Sequence, residues 1–306
     1  MKNIFVTGIS GCVGHYVFDT LAANPDYHLF LFVRNPAKLK FNPSAYKNIT
    51  IVQDIMDNIL CHADVLKQMD GVVHIAAGWG ETQLNYEHTL ELFEQLDPNR
   101  VKKIIYFSTA SLLGPDNKIV EGLDKFATSY IRGKYLCYKE LGKLAVYDRI
   151  ITLFPTWVLG GDEKHPYSHA TGGIKAAVKW LWLLRFLSID VSFHYIHARD
   201  IALIVDYLLK NETKQKEYVL GNSLITADQF IDQMCQYYKR KIYFKVPVPI
   251  DLLKKIAPCL GFKLSDWDRY CLDKKHFEYR TVNPSFFGLK SQDPSVEKVL
   301  VDLALI

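Results

Sequence analysis

The 306-residue sequence lacks a long apolar run, a large excess of one charge and any clustered cysteine motif. The longest apolar stretch near its middle, Trp180 to Leu184, meets Arg185 far short of the ~20 residues a spanning helix needs, so no membrane partner is expected. Lys and Arg total 37 against 33 Asp and Glu, and the net +4 is spread along the chain. A nucleic-acid footprint gathers its basic residues on one element, so no such partner is expected. Cys12, Cys61, Cys137, Cys235, Cys259 and Cys271 form no C-x-x-C pair and suit reduced thiols of a cytosol, most of them small core hydrophobes. Met1-Lys2-Asn3-Ile4-Phe5-Val6 enters a strand directly, with no room for a signal peptide, and a cytoplasmic location is expected. No metal centre is expected either. His165 and His169 stand four apart, but Pro166 interrupts them and no acidic residue accompanies them as in a helical metal-binding pair; with His194 and His197 they read as surface or pocket histidines.

What is present is the composition of a folding chain, 49% apolar and 23% charged. Ile4–Thr7, Leu29–Val33, Ile49–Val52, Val72–Ile75, Ile104–Phe107 and Ile150–Phe154 are near-continuous apolar runs, as strands covered on both faces require. Helices are predicted after Gly11, over Gln83–Leu96 and over Ser129–Tyr147. This alternation predicts an α/β fold with a doubly wound parallel sheet. Beyond Gly160 the texture is mixed: a helix near Ile174–Phe186, a strand near Val191–Ile196, a helix over Ile201–Leu209 and a strand over Glu217–Leu220. The division expected is a dinucleotide-binding Rossmann domain over 1–160 and a smaller substrate-binding lobe over 161–306, with segments near 191–235 returning to the first domain. Pro247, Pro249, Pro258, Pro284 and Pro294 fall in the lobe, and Asp200 is placed to cap a helix.

Thr7, Gly8, Gly11 and Gly14 form a T-G-x-x-G-x-x-G run between the first strand and a helix. Such glycines let the chain turn tightly, approach a pyrophosphate and seat the helix, whose first amides then face the phosphates. Arg34 follows the second strand about twenty residues later, where a carboxylate would read a free ribose hydroxyl. A guanidinium suits a 2'-phosphate, so NADP(H) is preferred, with NAD(H) as the alternative. Asp54 and Ile55, beyond the third strand, are placed to meet the adenine amino group and ring.

Tyr130 and Lys134 are four apart in a helical segment and share a face. A phenol titrates near ~10, and a neighbouring ammonium favours its phenolate, which makes a usable acid or base. The preceding strand end, Ser108-Thr109-Ala110-Ser111, faces the cofactor crevice of such a sheet, where Thr109 or Ser111 could bind a substrate oxygen.

In their shared order, Val6-Thr7-Gly8-Ile9-Ser10-Gly11-Cys12-Val13-Gly14, His74-Ile75-Ala76-Ala77, Ser108-Thr109-Ala110-Ser111 and Tyr130-x-x-x-Lys134 resemble the extended short-chain dehydrogenase/reductase family, also called the epimerase/dehydratase family. Phe154–Gly160 and Tyr195–Asp200 are similar to two later blocks of it, so the resemblance spans residues 6 to about 202. Val33-Arg34-Asn35-Pro36 and Pro155-Thr156 look closer to its dihydroflavonol-reductase-like branch. The resemblance implies that Tyr130 is the acid/base, that Lys134 holds the nicotinamide ribose, and that Thr109 binds the reacting oxygen. It also implies that Cys12, Val13, Ala76, Ala77, Pro155 and Val158 line the cofactor, that Asn85 is the family's asparagine, and that helices over 83–96 and 129–147 form a homodimer. Gly133 and His88 depart from it, where serine and glycine are frequent. The expected activity is an NADP(H)-dependent oxidoreductase acting on the carbonyl/alcohol pair of a small molecule. A nucleotide-sugar epimerase or dehydratase and a non-catalytic cofactor sensor are the alternatives. Trp180, Trp182, Leu183, Leu184 and Phe186 are expected to be packing residues, with a few lining an apolar substrate pocket.

Overall fold

The computed structural model describes residues 1–256, 263–291 and 295–302. Pro258, Cys259 and Pro294 lie outside the described residues. Seven parallel strands form the central sheet: β1 Lys2–Thr7, β2 Tyr27–Val33, β3 Ile49–Gln53, β4 Gly71–His74, β5 Lys103–Phe107, β6 Ile150–Pro155 and β7 Glu217–Leu220. Their spatial order is β7-β6-β5-β4-β1-β2-β3. The chain therefore winds outward from β1 in one direction and then, from β4, in the other. Such a reversal opens a crevice at the carboxyl ends of β1 and β4, where ligands of this architecture bind.

Successive side chains of β1 point to opposite faces. Ile4 and Val6 face α1 (Cys12–Ala22), and Phe5 faces the layer containing α2 (Glu87–Glu94) and α3 (Ser129–Glu140). On the first face Val17, Phe18 and Leu21 of α1 join Ile201, Val205 and Leu208 of a later helix; on the second, Leu92, Phe93 and Cys137 cover Val72, Ile104 and Tyr106. Burying both faces explains why β4 and β5 carry no polar alternation.

After β6 the chain forms α4 (His169–Val178), α5 (Ala198–Lys210) and α6 (Ala227–Tyr237). α5 and β7 belong to the central layers, whereas Leu159, Ile174, Leu181, Phe230, Met234 and Val296 form a separate apolar cluster. Several predicted elements differ in detail. The helix expected over 83–96 breaks at Tyr86 (φ −120°, ψ −79°) into Thr82–Asn85 and α2. That expected over 129–147 ends at Glu140, before the tighter turn Leu141–Lys143 that contains Gly142. The helix expected over 174–186 starts earlier, where the Ser168 side chain accepts from the Thr171 amide, and stops at Val178 before a separate turn, Leu181–Leu184. Val191–Ile196 is not one strand. Ser192–Phe193 pairs with Ile225–Thr226, and Tyr195–His197 with Trp157–Leu159. Asp200 does not cap α5: the His197 ring accepts from the Arg199 amide, and Asp200 sits buried in the first turn accepting from the Ser291 hydroxyl.

Candidate active site

The glycine turn joins β1 to α1 at the crevice. Gly8 has φ +72°, and a Cβ there would lie 2.5 Å from the Ala76 amide nitrogen. At Gly14 a Cβ would lie 2.3 Å from the Gly8 carbonyl oxygen, so helix and turn approach too closely for any side chain. Gly11 caps α1 without a side-chain hydrogen bond, and Gly11, Cys12, Val13 and Gly14 line the crevice. First-turn amides have no carbonyl partner within the helix, so this wall suits an anion such as a pyrophosphate.

A buried relay fixes the neighbouring β4 end. The Ala76 amide donates to Thr7 Oγ1 (3.2 Å), Thr7 meets His74 Nδ1 (2.9 Å), and His74 Nε2 meets Thr89 Oγ1 (3.0 Å), which itself donates to Leu84 O. Because the Thr89 proton is committed to Leu84, His74 Nε2 must donate and Nδ1 must accept. Burial pushes His74 well below its usual value, which keeps the neutral form this relay requires. Asn85 pins the next loop, accepting from the Gly78 amide (3.1 Å) and donating to Gly78 O and Glu81 O. Gly133 now has a reason: a Cβ there would lie 2.7 Å from both Asn85 Cβ and Thr82 O, leaving no room for the serine that the resemblance suggests.

The crevice is a cavity of about 1260 Å³, and it brings together every residue singled out above for catalysis or cofactor contact. At one end Arg34 is exposed at the β2 terminus, beside Asp54, Ile55 and Asp57. Asp54 accepts from the Ile55 amide, Asn58 Nδ2 and His62 Nε2, and these bonds, that from His62 foremost, favour the carboxylate and hold its pKa below the usual value. Ala76, Ala77, Pro155 and Val158 line the same cavity, as do Thr109, Tyr130 and Lys134.

Thr109 ends β5's extension with its oxygen accepting from the Ser111 amide at 3.2 Å, so the turn-forming role is real, and the hydroxyl proton is left to donate elsewhere. Burial pushes the Tyr130 phenol up to about 12, partly offset by the adjacent Thr109 hydroxyl. Burial also pulls the Lys134 ammonium down to about 8. Lys134 is 1% exposed, donates to Phe107 O at 2.8 Å and lies 4.8 Å from the Tyr106 ring centroid. The expectation that the ammonium holds Tyr130 toward phenolate is therefore not met: desolvation dominates, and Tyr130 is a phenol at neutral pH.

The wall over Tyr130 was not read from sequence. Trp79 packs against the Tyr130 ring, with centroids 4.7 Å apart, and against His169 at 4.4 Å, both tilted contacts, and Tyr167 and Trp267 line the same cavity. What Trp79 does depends on α4 bringing His169 across from a distant part of the chain. None of Trp180, Trp182, Leu183, Leu184 and Phe186 lines the cavity, and Trp180, Trp182 and Leu183 are exposed rather than packed. Of the four histidines, His169 lines the cavity, and the other three are buried rather than on the surface. His165 is buried and clasped between Asp162 (2.7 Å) and Asp19 (2.8 Å), so it has acidic partners after all, while His194 and His197 are buried. Among the described residues no cluster of three potential ligands is arranged to hold a metal.

The profile of the NAD dependent epimerase/dehydratase family matches residues 4–221. The chain belongs to this family. It is therefore an enzyme of a nicotinamide-dependent family with a Rossmann-type fold. No match is found among curated proteins. Among solved structures it is similar to UDP-N-acetylglucosamine 4-epimerase from Methanobrevibacter ruminantium M1, in complex with UDP-N-acetylmuramic acid: 18% identity, TM-score 0.68, covering 98% of this chain and 96% of that one. It also resembles the Bordetella bronchiseptica enzyme WbmG in complex with NAD and UDP (16%, TM-score 0.70, 99% and 94%). The terminal R domain from the myxalamid PKS-NRPS biosynthetic pathway is a third likeness (17%, TM-score 0.72, 99% and 89%). At these identities the likeness concerns the fold.

Proposed function

We propose that the enzyme is an NADP(H)-dependent reductase of a small, largely uncharged carbonyl compound. The observation that carries this reading is the distribution of charge in the cavity. Among the described residues its Lys and Arg lining is Arg34 at the cofactor end and the buried Lys134, while the end over Tyr130 is walled by Trp79, Tyr167, His169 and Trp267. The Lys175 ammonium is seated on the Tyr167 ring, 3.2 Å from its centroid. A substrate diphosphate would want charge-assisted donors there.

In this reading the glycine turn and first amides of α1 hold the pyrophosphate, and the exposed Arg34, which makes no ion pair among the described residues, takes the 2'-phosphate. Asp54 and Ile55 meet the adenine. Ala76, Ala77, Pro155 and Val158 flank the nicotinamide half, whose ribose Lys134 would hold. The bound cofactor supplies hydride to the carbonyl carbon. Tyr130, protonated at neutral pH, gives its proton to the substrate oxygen, and Thr109 donates a hydrogen bond to that oxygen as charge develops on it.

One observation favours a second reading, a nucleotide-sugar epimerase. Ser168, His169 and Ala170, at the amino end of α4, line the cavity, and a helix amino terminus attracts anions. Two of the similar structures contain UDP or a UDP-linked ligand. Calorimetric titration separates the two. The reductase reading expects NADPH to bind at least about tenfold more tightly than NADH, a preference erased in Arg34→Ala, together with net NADPH consumption on carbonyl substrates. Equal affinities, cofactor retained through purification and UDP-sugar interconversion without net consumption would establish the second reading instead.

A further inference from the structure

The exposed aromatics after α4 belong to a larger surface. Trp180, just before the turn, and Trp182, within it beside Leu183, are each 58% exposed; Tyr243 (75% exposed), Phe244 and Val246 extend the patch. The two segments are held side by side. Phe186 stacks on Phe244 at 4.9 Å, the Val246 amide donates to Phe186 O at 2.8 Å, and an Arg185 guanidinium nitrogen donates to Lys241 O at 3.0 Å. Residues 175–188 and 239–248 contain Lys175, Lys179, Arg185, Lys239, Arg240, Lys241 and Lys245, and no carboxylate. Lys245 is paired with Asp228 and Asp232, but Lys179, Lys239, Arg240 and Lys241 are exposed and make no ion pair among the described residues. Exposed apolar side chains ringed by free cations mark an interaction site.

We propose that this face docks on an anionic phospholipid bilayer, with Trp180, Trp182 and Phe244 in the headgroup layer and Lys179, Lys239, Arg240 and Lys241 against lipid phosphates. Indole rings favour that layer, and lysines and arginines beside it are drawn to an anionic surface. A second copy fits the face poorly, since a two-fold contact would set its free cations against their own counterparts. Leu183 and Val246 offer a nucleic acid neither a stacking face nor a hydrogen bond, whereas acyl chains accept both. The chain contains no described helix long and apolar enough to cross a membrane, and the contact proposed is peripheral. α4 connects the two places, since His169, Ala170 and Gly173 line the cavity while its last turn leads into Lys179 and Trp180.

The test is sedimentation of the full chain with vesicles of pure phosphatidylcholine or of phosphatidylcholine with phosphatidylserine, read alongside tryptophan emission. We expect pelleting and a blue shift on the anionic vesicles alone, weakened by salt. The double variant Trp180→Ser/Trp182→Ser and the triple variant Lys239→Glu/Arg240→Glu/Lys241→Glu should each lower the pelleted fraction at least about tenfold, with cofactor affinity and urea midpoint unchanged. Absence of pelleting, equal pelleting on neutral vesicles, or pelleting untouched in both variants would overturn the proposal. So would a monomer–dimer equilibrium, or binding of a single-stranded oligonucleotide, that the same substitutions abolish in a protein that ignores vesicles.

Discussion

Replacing Lys134 with methionine removes an ammonium that burial holds at about 8 instead of its usual 10.5. That gap corresponds to about 3 kcal/mol of disfavour for the charged form in the fold. The unfolded chain keeps this proton up to about 10.5, whereas the folded protein releases it near 8. The penalty is therefore complete below about pH 8 and is relieved as pH rises toward 10.5, so the lysine makes the wild type gain stability over that window. Urea unfolding of wild type and Lys134→Met at pH 7 and pH 10 reads the effect as a difference of differences. We expect the wild type to improve on the variant by about 2–3 kcal/mol between the two pH values. At pH 7 the variant should be as stable as the wild type or more so, because relief of about 3 kcal/mol is set against about 1–3 kcal/mol for depriving Phe107 O of its donor. Turnover should nevertheless fall, the trade expected when a destabilised group serves the site. A stability difference that does not move between pH 7 and pH 10 would refute the reasoning, since the ammonium would then not feel its burial.

Tyr130→Phe should cut turnover by about 10²-fold or more while leaving NADPH affinity within a factor of two or three, measured by steady-state kinetics and calorimetry on one preparation. Wild-type turnover in that variant would remove Tyr130 from the chemistry. Gly14→Ala forces a Cβ to within 2.3 Å of a backbone oxygen and should destabilise the fold by about 1–3 kcal/mol and weaken cofactor binding at least about tenfold. Gly80→Ala, where nothing lies within 4 Å, is the matched control and should leave the urea midpoint nearly unchanged.

Much of the site was legible because its parts are local. The spacing of Gly8, Gly11 and Gly14 prescribes a turn, and Tyr130 with Lys134 prescribes one helix face, whatever surrounds them. Apolar runs named the first six strands because double burial leaves a one-dimensional trace. What resisted reading depended on distant segments meeting. Proton affinity was misjudged at Tyr130 because spacing reports that an ammonium is near along a helix, not that its Nζ is drawn to Phe107 O and that desolvation outweighs it. The aromatic wall was missed because Trp79, His169 and Trp267 come from three remote stretches. Apolar character at Trp180 and Trp182 suggested packing, since hydrophobicity does not say which side of a helix finds a neighbour.

The sequence by itself determined the strand alternation, the glycine turn and the order of the candidate catalytic groups, because periodicity and short-range stereochemistry depend only on residues close along the chain. Tertiary structure alone decided which side chains share the cavity, why Gly133 must be glycine, how burial sets Tyr130 and Lys134 apart, and which aromatic face is left to solvent. Each of these follows from contacts and desolvation between segments that no local pattern records.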